Sequence, residues 1–176
     1  MNRICQVVGR LMCLMALPLS LAHAAAVGDT LDTPAMQAPQ AKSAVLLDLA
    51  RAGARLVAVG ERGIVLLSDD NGVSWRQTAV PVSVSLTAVQ FIDANTGWAV
   101  GHAGVVLVSH DGGEHWALQL DGLRAAQLEL ASARQQLPSA NDQDAAAARV
   151  QTAERLAGEG ADKPFFAVQF VDARHG

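Results

Sequence analysis

From about residue 44 to residue 120 the chain alternates short apolar runs with Gly-rich turns. Ala88 to Asp93 reads as a strand, closed by an Asn95-Thr96-Gly97 turn. Trp98 to Val100 reads as a second strand, turned by Gly101 to Gly104. Val105 to Ser109 is a third, apolar enough for burial on both faces. A turn centred on Asp111-Gly112-Gly113 leads to a short outer strand from His115 to Leu120. Runs this short and this rich in Val favour strands over the helical pairs of a solenoid.

The pattern repeats. Val59-Gly60-Glu61-Arg62-Gly63-Ile64-Val65-Leu66-Leu67-Ser68 and Val100-Gly101-His102-Ala103-Gly104-Val105-Val106-Leu107-Val108-Ser109 align without gaps, 41 residues apart, and the alignment runs on to Trp75 and Trp116. Ala88-Val89-Gln90-Phe91 recurs as Ala167-Val168-Gln169-Phe170, 79 residues on. A period near 41 built from four short strands predicts β-propeller blades. The fold class expected is all-β: four-stranded antiparallel propeller blades over 44–120, with an insertion before the next repeat opens at 165–176. The chain stops at Gly176, which aligns with Gly97, so it reads as a truncated fragment.

The insertion, 121–164, changes period. Leu123, Leu130 and Leu137 recur every seven residues with Ala126 and Ala133 between them, one apolar stripe on a helix. Pro138 to Asn141 breaks it. Asn141 or Asp142 caps a second helix through about Ala157, carrying Val150, Ala153, Leu156 and Ala157, and Gly158 and Gly160 end it. A helical hairpin follows, either a packed decoration or a partner-docking arm.

The two ends of the pattern differ again. Met1 to Ala24 has Arg3 and Arg10 ahead of an apolar Leu11–Leu21 run and an Ala22-His23-Ala24 cleavage site, the layout of a secretory signal peptide. The run is too short to span a bilayer comfortably. Residues 25–43, rich in Ala, Pro and Gln, read as an extended arm.

Composition then narrows the function. The 176 residues are 51% hydrophobic and 17% charged, with 13 Lys+Arg against 17 Asp+Glu. No basic tract occurs, which argues against nucleic-acid binding. Cleavage of the leader would remove both cysteines, Cys5 and Cys13, and take the net charge from −4 to −6. The exported chain would then have no disulfides and no stable membrane insertion, and would rely on packing.

Ser68-x-Asp70-x-Gly72-x-Ser74-Trp75 and Ser109-x-Asp111-x-Gly113-x-His115-Trp116 fit the Asp-box, or BNR, pattern. Its logic is a hairpin turn. The Asp carboxylate accepts backbone N–H groups, Gly takes a positive φ, Ser adds a side-chain bond and Trp covers the blade edge. Ser68, Asp70, Gly72, Trp75, Ser109, Asp111, Gly113 and Trp116 are therefore structural candidates, not catalytic ones. With Phe91-Ile92-Asp93 and Gly97-Trp98-Ala99-Val100-Gly101, these repeats resemble the photosystem II stability/assembly factor family of BNR-repeat proteins. The resemblance covers about Ala44 to Trp116 and resumes at Phe166. It implies a seven-bladed propeller in the periplasm, or in the thylakoid lumen of a phototroph. It also implies a protein partner, a membrane complex or its subunits. The helical insertion departs from the family's compact blade.

Sialidases also carry Asp-boxes and supply the alternative reading, a secreted glycoside-binding or glycoside-hydrolysing protein. What that family implies is a Tyr nucleophile, a Glu partner and three arginines. This chain has no Tyr, and Arg62 and Arg76 show no sign of convergence in the sequence. His102, His110, Glu114 and His115 raise a metal site, but Asp69, Val73 and Ser74 stand where His110, Glu114 and His115 would need counterparts. Asp69-Asp70-Asn71-Gly72 lacks the twelfth-position Glu of a calcium loop, since Val80 stands there. No enzyme activity, metal or cofactor is expected. The reading is an exported, non-enzymatic scaffold or assembly factor.

Overall fold

The computed structural model describes residues 29–160 and 163–176; the expected leader, with Cys5 and Cys13, lies outside them. Two antiparallel four-stranded meanders form the body. The first contains β1 (Leu46–Ala52), β2 (Arg55–Gly60), β3 (Val65–Ser68) and β4 (Arg76–Gln77); the second contains β5 (Leu86–Phe91), β6 (Gly97–Gly101), β7 (Val106–Ser109) and β8 (Ala117–Leu120). Each sheet is consistent with a propeller blade. The outer strands are short: β4 has two residues and β8 has four.

Repetition of sequence becomes repetition of backbone. Val57 pairs with Leu67 in blade 1, and Trp98 with Val108 in blade 2. Tight 3-10 turns, Glu61–Gly63 and His102–Gly104, join the second and third strands. Arg62 and Ala103 both sit left-handed there, at φ 54° and 57°. Gly60 and Gly101 precede the turns for a steric reason. A Cβ on either would stand 2.2 Å from the Val45 carbonyl oxygen or 2.1 Å from that of Ser85.

The core lies between the blades. One face of β2 and β3 presents Val57, Val59, Val65 and Leu67, all fully buried against Leu86, Val89, Ala99, Leu107 and Trp116 of blade 2. Asp48 reaches across the seam, its Oδ2 accepting the Val89 N–H at 2.8 Å.

Residues 29–43 pack against the blades. Val80 accepts the Ala35 N–H and Thr30 accepts the Ser83 N–H, both at 2.9 Å, while Leu31 and Ala35 enter the core. Ala41 covers the other side of blade 1, against Ala58, Ile64 and Leu66. This explains a difference between the third strands. All of β3 is buried, because blade 2 covers one side and the arm covers the other. In β7, expected to be buried on both faces, Val106 and Val108 stay half-buried. On that side lies the 163–176 segment, whose Phe170 stacks on Trp98 but leaves both valines part-exposed.

The insertion is a hairpin of α1 (Gly122–Gln136) and α2 (Gln143–Glu159). Asp121 and Asp142 cap the helices, accepting from Arg124 N at 2.8 Å and Ala145 N at 3.0 Å. Ala133 and Ala153 are buried between them, and Arg134–Glu154 and Arg149–Glu129 bridge the pair at 2.8 and 2.9 Å. The leucine stripe is only partly used, since Leu123 is exposed. Both feet return to one turn: a Cβ on Gly104 would meet Gly122 Cα at 2.7 Å, and Phe165 donates its N–H to Gly101 at 3.0 Å. Among the described residues no helix is long and apolar enough to cross a membrane.

Residues 163–176 repeat the close of β5 in miniature. Asp172 Oδ1 accepts from Arg174 and His175 N–H groups, as Asp93 accepts from Asn95 and Thr96. Phe170 stacks on Trp98 with ring centroids 3.8 Å apart, and Gln90 holds the Phe170 backbone through both amide atoms.

Candidate functional site

The Asp-box residues come together twice, in the turns between the third and fourth strands of each blade. In blade 1, Ser68 Oγ accepts the Gly72 N–H at 2.7 Å and donates to Asp70 Oδ1 at 2.8 Å. Asp70 also accepts the Ser74 N–H at 2.8 Å and the Ser74 hydroxyl at 2.5 Å. Trp75 Nε1 donates to the Gly72 carbonyl at 3.0 Å. In blade 2, Ser109 Oγ accepts from Gly113 and donates to Asp111 Oδ1, both at 2.9 Å. Asp111 accepts the His115 N–H at 2.9 Å, and His115 Nδ1 lies 2.6 Å from its second oxygen. Trp116 Nε1 donates to the Gly113 carbonyl at 3.0 Å.

Gly72 and Gly113 take φ of 90° and 87°, which side-chain-bearing residues rarely adopt. Asn71 joins the first turn in the left-handed region, where Gly112 stands in the second. Ser68 and Ser109 are buried, so their hydroxyls need the partners that the turn supplies.

These donors set the charge state of the carboxylates. The Ser74 hydroxyl and N–H, followed by the Ser68 hydroxyl, hold Asp70 down to about 2. At Asp111 burial pushes upward, but the His115 N–H and ring and the Ser109 hydroxyl outweigh it, and the group also falls to about 2. Both carboxylates are ionised at neutral pH and face their own turns. The arrangement acts as a clasp that fixes the third strand to the fourth.

A second constellation sits on the same rim. Arg55 at the start of β2 lies 2.5 Å from Asp69 and 2.9 Å from Glu114, and donates to the Gly112 carbonyl at 3.1 Å. Arg76 on β4 grips Glu114 with both guanidinium nitrogens and stands 3.6 Å from Asp69. Thr78 donates its hydroxyl to the Glu114 carbonyl. Arg76 and Arg55 therefore converge on one pair of carboxylates across the blade seam, a convergence the sequence alone does not show. Arg76 foremost, then Arg55, lowers Glu114, and Arg55 does the same for Asp69. Two cations meet two anions, so the cluster is neutral.

Glu114 is thus a seam residue. The sequence carries one hint of that role: Val73 holds the matching place in the first repeat, so Glu114 departs from the repeat. His102 and His110 are exposed and do not join it. Among the described residues no group of three or more His, Cys, Asp or Glu is placed to hold a metal ion.

Residues 68–136 match the family model described as "Photosynthesis system II assembly factor YCF48". The matched span runs from the first Asp-box through β8 to the end of α1. A solved structure titled "YCF48 bound to D1 peptide" is 26% identical, with a TM-score of 0.42; the match covers 49% of this chain and 29% of that one. This chain therefore spans less than a third of that structure's length. No curated protein matches. Over residues 68–136, with two Asp-box turns of one hydrogen-bond pattern on two blades, the chain is similar to the photosystem II assembly factor-like family of BNR-repeat proteins.

Proposed function

We propose that this chain is an exported, non-enzymatic propeller scaffold that holds a subunit of a membrane protein complex during assembly. The observation that carries this reading is the family match over residues 68–136, which includes both Asp-boxes, the whole of blade 2 and α1. The geometry is compatible with it. The carboxylates of both Asp-boxes are committed to their own turns, and the arginines of the rim are paired. Such a body presents loops on a stiff frame, which suits binding more than bond-making. The resemblance implies a seven-bladed ring and a periplasmic or thylakoid-lumen location, and both belong to this proposal.

The test is capture of partners from membrane fractions, using the intact chain and a variant lacking 121–164. Enrichment of subunits of one membrane complex by the intact chain supports the reading. Turnover of a fluorogenic sialoside, without such enrichment, would overturn it in favour of the glycosidase alternative.

A further inference from the structure

Asn71 is the one asparagine of the chain that glycine follows; Asn2, Asn95 and Asn141 precede Arg3, Thr96 and Asp142. The Asn71–Gly72 pair sits inside the first Asp-box turn. Asn71 is exposed and left-handed at φ 59°, and Gly72 stands at φ 90°. In the second clasp Gly112 holds the matching place at φ 72°. The turn therefore closes without an amide side chain at that position. Asn71 Oδ1 lies 3.4 Å from Arg51 Nη2, a long and weak contact.

An asparagine side chain is electrophilic at Cγ, and the backbone nitrogen of the next residue is a nucleophile tethered beside it. A following glycine puts no Cβ in the way of attack. Both reactants are thus in place at residues 71 and 72, and Ser68 restrains them. The Gly72 N–H donates to Ser68 Oγ at 2.7 Å, and that buried hydroxyl donates onward to Asp70 Oδ1 at 2.8 Å. The nitrogen must give up its proton to attack, but the proton is bonded inward, away from solvent base. The Gly72 carbonyl is held as well, by Trp75 Nε1 at 3.0 Å. The peptide group cannot swing towards Asn71 Cγ until the clasp opens.

We propose that Asn71 is a self-modification site, deamidated by the Gly72 nitrogen and held latent by the closed clasp. When the Ser68–Gly72 bond opens, solvent base removes the Gly72 proton. The N–Cγ bond forms, the Cγ–Nδ2 bond breaks, and the side-chain amide leaves as ammonia, taking a proton from water. Water then hydrolyses the cyclic imide. Breaking its N–Cγ bond gives aspartate, and breaking its backbone C–N bond gives isoaspartate. The imide nitrogen carries no hydrogen, so Ser68 has no Gly72 donor while the ring persists. Either product adds a carboxylate beside Asp69 and Asp70, and isoaspartate also lengthens the turn by a methylene. Each opening therefore risks a one-way loss of the first clasp. The second clasp, with Gly112, has no amide to lose.

The test incubates the purified chain in mildly alkaline buffer and follows residue 71 by peptide mass mapping, with isoaspartate counted by enzymatic methylation. Conversion is expected to be slow in the folded chain and fast in the same chain unfolded in guanidinium chloride. Ser68→Ala is expected to speed the folded chain about tenfold, the change that one lost buried hydrogen bond gives to local opening. Ser109→Ala removes the equivalent bond of the other clasp and should leave the rate at residue 71 unchanged. Four results would overturn the proposal: no conversion in the unfolded chain, equal rates in the folded and unfolded chains, no acceleration by Ser68→Ala, or equal acceleration by Ser109→Ala. If Ser68→Ala does not fold, deuterium exchange of the wild-type Gly72 N–H decides. A protected amide whose exchange rises in step with conversion at low denaturant supports the gate, and a freely exchanging one removes it.

Discussion

The two Asp-box turns share their hydrogen bonds but not their surroundings. Ser, Asp and Gly make equivalent contacts in both, and each Trp donates to the carbonyl of its turn glycine. Trp116 is 7% exposed, sits in the main core and meets Phe91 edge-on at 6.0 Å. Trp75 packs on a smaller cluster and stays half-exposed. Arg51 pairs with Leu56 where Phe91 pairs with Gly97, so Trp75 has no matching ring to meet. The clasp is a local property of its residues. The depth at which its tryptophan is buried depends on whether another sheet lies against the blade.

Tryptophan truncation tests that contrast most strongly. Trp116→Ala is expected to cost about 3–5 kcal/mol in urea unfolding. Trp75→Ala is expected to cost about 1–2 kcal/mol, since its ring is only partly buried and packs on a smaller cluster. Equal losses would break the comparison.

The serines sharpen it from the other side. Ser68→Ala and Ser109→Ala each leave the turn glycine N–H and an aspartate oxygen without their buried partner. Each is expected to cost about 1–3 kcal/mol. The two values should agree, because the clasp does not depend on the neighbouring blade.

Acid should loosen both clasps together. Asp70 and Asp111 ionise at about 2 in the folded chain, against a reference of 3.8. The folded state therefore holds these protons less tightly than the unfolded one. The stabilisation they provide is complete above about pH 4 and is lost as pH falls towards 2. Thermal melting between pH 2 and 7 should show this drop, and the Asp70→Asn, Asp111→Asn double variant should flatten it.

The smallest effect expected is at the seam. Glu114→Gln removes the anion that Arg55 and Arg76 share at a partly exposed site. A loss of about 0.5–1 kcal/mol at low salt is expected. It should shrink as added salt screens the wild-type cluster, which parallel melts at two ionic strengths would read.

Much of the frame was legible from periodicity. The 41-residue offset located the strand–turn–strand units because the same sterics act in each copy. Gly60 and Gly101 must admit a neighbouring carbonyl, and Gly72 and Gly113 must take positive φ. The helical hairpin was legible from a change of period and from the Asn141-Asp142 pair, of which Asp142 caps the second helix; the Asp121 cap of the first was not read from the sequence. The seam cluster was not. Arg55, Asp69, Arg76 and Glu114 are separated by up to 59 positions, and none repeats its charge in the other copy. A pairwise charge contact has no period, so repetition cannot reveal it.

The sequence by itself determined the turns, the strands and the helices, because these depend on residues within a few positions of one another. Tertiary structure alone decided which faces are covered. It put the arm on Leu66, blade 1 on Leu107 and Trp116, and Phe170 on Trp98. It also left Leu49 in water although its counterpart Val89 is buried. Burial depends on what lies across a gap, and two sheets with one alternating pattern differ once the same face is covered by a sheet in one and not in the other.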